Sequence, residues 1–191
     1  MSSIRYILFV IPCLLGITSC MTTPYPDDWS RTVTNTASQC PDLTGSYENY
    51  GLADDGDQIA LSSILFTSSP NQTLMEDWVS HVTFDRRDDN NLVVKAWVGD
   101  KFLTERLLTA SQLPCREGHL VYHNTEWYVG GIAPFFPAIA YGSIDHLISL
   151  AADGSLVIEN KEFSMGAFVV IPLAVKSRWW YRFPPTSPNS P

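Results

Sequence analysis

From about residue 78 to residue 183 the chain alternates apolar and polar positions with period two. That is the pattern of strands with one buried and one solvated face. Trp78, Ser80, Val82 and Phe84 alternate with Val79, His81, Thr83 and Asp85. Leu92, Val94, Ala96 and Val98 share a face against Val93, Lys95 and Trp97. Leu103, Glu105 and Leu107 alternate with Phe102, Thr104 and Arg106. Leu120 and Tyr122 oppose His119, Val121 and His123, and residues 127–129 continue after a turn. Residues 147–151 and 156–160 flank Asp153-Gly154, a hairpin signal. Residues 167–175 are almost continuously apolar, which predicts a strand buried on both faces with Pro172 at an end or bulge. Trp179, Tyr181 and Phe183 alternate with Arg178, Trp180 and Arg182. Only residues 59–66 have helical spacing, enough for one or two turns, and a strand there is nearly as plausible. The pattern predicts a mainly β fold, a single antiparallel β-barrel or β-sandwich of about nine or ten short strands with at most one short helix.

The first residues follow a different pattern. Arg5 precedes a short apolar stretch over residues 6–16, as in a secretory signal, and too short to span a bilayer, which takes about 20 residues. Ile17-Thr18-Ser19-Cys20 resembles the bacterial lipobox, with an aliphatic residue, two small residues and a cysteine. The resemblance implies that residues 1–19 are removed and that Cys20 carries covalent lipid. Met21 after the cysteine implies, by enterobacterial sorting rules, export to the outer membrane, facing the periplasm. Residues 20–39 are polar and aperiodic and predict a flexible tether, residues 40–183 the β-rich domain, and residues 184–191 a disordered Pro-rich tail.

Composition narrows the partners. The chain carries 12 Lys+Arg against 20 Asp+Glu, a net charge of −8, so nucleic acid is excluded as a partner class and anionic lipid heads offer no attraction. Cys40 and Cys115 remain after Cys20. In an oxidising compartment an even pair predicts a disulfide, with two buried free thiols as the alternative.

Candidate chemistry is sparse. The chain lacks a Gly-x-Ser-x-Gly elbow, a Ser-x-x-Lys pair, a phosphate-binding Gly-rich loop and a dinucleotide fingerprint. His119 and His123 have the spacing of a zinc-protease helix, but Leu120 stands where its Glu should be. In a strand the two lie about 13 Å apart, so no metal site is expected. His81 with Asp85 meets the same objection. Asp54-Asp55-Gly56-Asp57 lacks the spacing of a calcium loop and predicts a solvated turn. Residues 130–142 are apolar yet carry two prolines and three glycines. They predict a long connection folded over the end of the core, burying Phe135 and Phe136, or an exposed apolar loop touching membrane or partner.

Cys40-Pro41-Asp42-Leu43-Thr44-Gly45-Ser46-Tyr47-Glu48-Asn49-Tyr50-Gly51 resembles the opening of small proteobacterial lipoproteins, roughly Cys-Pro-x-Leu-x-Gly-x-Tyr-x-Asn-x-Gly. Residues 115–121, 153–157 and 179–183 are similar to later segments of that family, to which no activity is attached. Gly45-Ser46-Tyr47 also faintly resembles the lipocalin first strand. Three readings follow. The first is a non-enzymatic envelope lipoprotein with no cofactor beyond the lipid on Cys20, acting through an envelope protein partner. The second is a lipocalin-like carrier of a small apolar ligand. The last is a hydrolase using His119 or His81.

Overall fold

A computed structural model describes residues 18–33, 39–66, 78–87, 91–133, 136–168 and 171–186. The strands are β1 (Thr18–Thr22), β2 (Gly45–Glu48), β3 (Tyr50–Ala53), β4 (Gln58–Ala60), β5 (His81–Arg86), β6 (Leu92–Val98), β7 (Lys101–Leu108), β8 (Cys115–Arg116), β9 (His119–Ala133), β10 (Phe136–Leu150), β11 (Leu156–Phe168) and β12 (Ile171–Phe183). Among the described residues there is one helix, α1 (Leu61–Leu65), which follows β4 directly. An eight-stranded sheet runs β4-β3-β12-β11-β10-β9-β8, with β1 added on β12, and a four-stranded sheet runs β2-β5-β6-β7. Both are antiparallel except for the parallel β1–β12 pair. The mainly β class and the sandwich are therefore present. The barrel alternative is not, because among the described residues both sheets end in open edges.

The small sheet covers only one end of the large one. Val82, Phe84, Leu92, Val94, Ala96 and Leu108 from the small sheet meet Tyr122, Ile148, Leu156, Ile158 and Phe183 from the large sheet, with Leu43, Leu61 and Leu65 closing the side. On β11 the even positions Leu156 and Ile158 face this core. The odd position Val157 faces away and packs with Trp29, Ala151 and Trp180 on the outer surface.

Several expected elements take a different form. The turn before Trp127 and the irregular segment 130–142 are absent as such: β9 runs unbroken from His119 to Ala133, and β10 pairs back along it from Phe136. Pairing with β9 and, from Ala138 onward, with β11 holds β10 in the sheet there, despite the glycines and prolines that disfavour strand. Residues 134–135, including Phe135, lie outside the described residues. The apolar run 167–175 divides between the end of β11 and the start of β12. These strands hold 13 to 15 residues each, against the short strands expected.

Two side-chain patterns are also corrected. Trp78 is 73% exposed while Val79 is buried, because β5 begins only at His81. In β7 a bulge breaks the alternation: Ala96 pairs with Thr104, but Trp97 pairs with Phe102. The extra residue turns Leu103 toward the core and leaves Leu107 outside.

The segment expected to be a tether lies along the large sheet from Thr18 to Val33. β1 pairs with β12, Tyr25 packs edge-on against both Trp29 and Trp180, and Thr32 bridges to Ala151. Burial of aromatic rings on the outer face outweighs the polar composition that suggested a free linker. The start of the Pro-rich tail is likewise paired: Pro184 accepts from Glu48 N, and Thr186 N donates to Ser46 O. Residues 187–191 and 1–17 lie outside the described residues.

Hairpin β10–β11 turns at Asp153-Gly154 as expected, with Gly154 at φ 83°. Burial pushes the Asp153 carboxyl up, but hydrogen bonds from Ser155, Ser30 and Arg182 outweigh it and hold it at about 2. Its contribution to stability is therefore fully present above 3.8, the ordinary value, and is lost as pH falls through about 2. In urea titrations the stability gap between wild type and Asp153→Asn should shrink across that window. A gap independent of pH would contradict this.

Candidate functional site

The motif that opens the domain is explained residue by residue as construction. Cys40 is disulfide-bonded to Cys115, with Cα atoms 5.8 Å apart, so the edge strand β8 of the large sheet is tied to the entry of the small one. Leu43 is fully buried, and the buried Tyr47 hydroxyl donates to Leu43 O at 3.2 Å. Burial pushes the Tyr47 phenol up to about 12. Asn49 is fully buried and caps α1 from a distance: its Oδ1 accepts from Ser62 N at 2.9 Å and its carbonyl from Leu61 N at 2.7 Å. Ala60, at the helix N-cap, has no side chain for that task. Gly51 sits so close to β12 that a Cβ would lie 2.4 Å from Arg182 O.

The histidines do not converge. His81 stacks on Trp97 at 5.9 Å, and burial lowers its pKa. His119 lies on β9 beside the β8 hairpin, and His123 pairs with Asp145 across β9–β10 at 2.6 Å. Among the described residues no three His, Cys, Asp or Glu side chains gather as a metal ion would need. Asp54, Asp55 and Asp57 form a turn in which Asp55 Oδ1 accepts from Asp57 N.

Two constellations were not legible from spacing. One is a polar string at the sheet interface. Arg106 on β7 donates to Leu65 O at 2.5 Å and to the Tyr122 hydroxyl at 3.0 Å, and lies over the Tyr122 ring. Tyr122 stacks on the buried His146, whose Nδ1 is 2.5 Å from Asn160 Oδ1. An open cleft of about 620 Å³ adjoins this string and reaches Arg116, His123 and Asp145. The string holds no nucleophile beside a base.

The other is a graded series of rows across the long strands. His123, Asp145, Lys161 and Arg178 occupy one register row across β9–β12, with Thr22 of β1 beside Arg178. In the same band Arg178 contacts the buried Glu159 at 2.6 Å, off the N–H direction, so the pair is an ion contact rather than an aligned hydrogen bond. The next row on that face is Thr125, Ser143, Phe163, Lys176 and Cys20. Lys176 lies over the Phe163 ring at 6.0 Å. Then come Trp127, Tyr141, Met165, Ala174 and Thr18, and beyond them Val129, Ile139, Ala167 and Pro172. Cys20 is thus one strand from β12 rather than at the end of a long tether.

Among the described residues no helix is long and apolar enough to cross a membrane, which says nothing of strands. Comparison with protein-family models, curated proteins and solved structures returned no match.

Proposed function

We propose that this chain is a lipid-anchored protein of the bacterial cell envelope that works by binding, without catalysis, as a structural or protein-interaction module at the periplasmic face of the outer membrane. The observation that carries the reading is Ile17-Thr18-Ser19-Cys20 after a short apolar run led by Arg5. The Cys40–Cys115 disulfide supports it, because such bonds persist in oxidising compartments. The resemblance of residues 40–51 to small proteobacterial lipoproteins points the same way. The Cys20→Ala variant should move from the membrane fraction to the soluble periplasmic fraction, or stay unprocessed. A fully processed variant that still sediments with membranes would count against the anchor.

A carrier of a small apolar ligand is the second reading. It rests on a pocket of about 330 Å³ beside the disulfide, lined by Leu92, Leu113 and Leu120 with Arg86 at its edge. That is the low end of ligand-site volumes, about 300 Å³ upward. The ligand would sit between open sheets rather than in a lipocalin-like closed barrel. Native mass spectrometry showing a reproducible adduct of a few hundred daltons would favour it; a bare mass would remove it.

A further inference from the structure

We infer that the cleft beside the Arg106–Tyr122 pair is a binding site for a small organic dianion, held through carboxylate or phosphate oxygens by Arg106 and Arg116. The inference stands on this cleft and holds whether or not Cys20 carries lipid.

Acids outnumber basic residues in this chain, and the net charge is −8. Arg86, Lys95, Lys161, Arg178 and Arg182 each sit in an ion pair. Among the described residues no ion pair includes Arg106 or Arg116. Both line the cleft of about 620 Å³. Two guanidinium groups without a carboxylate therefore meet in one concavity of an acidic protein. The screening length at physiological salt is about 8 Å, so within the cleft these two charges outweigh acids elsewhere on the surface.

Both sheets position the pair. Arg106 stands on β7 of the small sheet and Arg116 on β8, the edge strand of the large one. Cys115, next to Arg116, is tied to Cys40, which fixes β8 against the entry of the small sheet. Arg106 is half-buried, and one guanidinium nitrogen donates to Leu65 O at 2.5 Å and to the Tyr122 hydroxyl at 3.0 Å. These acceptors are neutral. They hold the side chain in one geometry and leave its charge unanswered. The planar fork of such a group matches a carboxylate or phosphate, and a fork already held loses little freedom on binding.

The rest of the lining excludes an apolar ligand. The Tyr122 ring is buried, so it offers no open aromatic face. Ser111, Gln112 and Thr125 contribute hydroxyl and amide groups. The Asp145 carboxylate, the one acid in the lining, is engaged by His123 at 2.6 Å. A ligand with hydroxyl or amino groups behind its anionic end fits such a wall. The volume falls inside the range of ligand clefts, about 300–1,000 Å³.

The test is calorimetric titration of the full chain, in non-ionic detergent and phosphate-free buffer, with succinate, glycerol phosphate and, as the neutral control, glycerol. The expected result is saturable binding of at least one of the two anions, one molecule per chain, and none of glycerol. Succinate alone identifies a carboxylate site, glycerol phosphate alone a phosphate site, and both a site that reads the shared charge. Arg116 is exposed and joins no ion pair, so Arg116→Gln keeps the fold. It should weaken binding by about tenfold or more, the scale of one charge-assisted contact. Lys101→Gln removes the same charge from the start of β7, outside the cleft, and should change nothing. Arg106→Lys keeps the charge, loses the fork and should also weaken binding; if that variant folds poorly, Arg116→Gln decides. Binding of neither anion, equal binding of glycerol, or a loss in Arg116→Gln no larger than in Lys101→Gln overturns the inference.

Discussion

Breaking the Cys40–Cys115 bond is expected to lower the stability of the domain by about 4.5 kcal/mol, from the entropy released by opening so long a loop in the unfolded chain. The sequence separation is 75, so the bond excludes many unfolded conformations. It also joins the two sheets where strand pairing does not: β8 pairs only with β9, and the chain from Cys40 leads through the buried Leu43 into β2. At roughly 2–4 °C per kcal/mol for a chain of this size, the Cys40→Ser/Cys115→Ser variant should melt more than about 9 °C below wild type. Thermal unfolding with and without reductant measures this. An unchanged melting temperature on full reduction would contradict the account.

The second large effect is expected at Phe183, the last residue of β12. It is fully buried in the main core, and its ring lies against Gly51 of β3. β3 pairs with β12 only at Tyr181–Ala53 and Arg182–Leu52, so the ring is a large part of what seats β3 and β4. Phe183→Ala should cost about 3–5 kcal/mol, the range for a large aromatic removed from a core. Gly51→Ala should cost about 1–3 kcal/mol by overpacking at the same junction. Chemical denaturation of the two variants checks both figures; a cost below about 1 kcal/mol for Phe183→Ala would mean that the two sheets do not meet at this ring.

Where strand chemistry is local, it was readable in the sequence. Asp153-Gly154 makes its hairpin and the apolar alternation over 92–98 becomes β6; Cys40 finds Cys115 across a separation of 75 because they are the one pair of cysteines after Cys20. What was not readable depends on partners distant in the chain. Glycine and proline over 130–142 argue against a strand until β9 and β10 pair across them. Leu103 and Leu107 look equivalent until pairing with β6 places a bulge at Leu103. Trp29 looks like part of a linker until Trp180 lies beneath it.

The central claim is that this fold is held at a membrane through Cys20. The most direct test is the intact mass of the protein extracted from envelope membranes. The account predicts a chain that begins at Cys20, carries covalent acyl groups on that residue, and is two hydrogens lighter for the Cys40–Cys115 bond. A chain that begins elsewhere, or an unmodified Cys20, would contradict it.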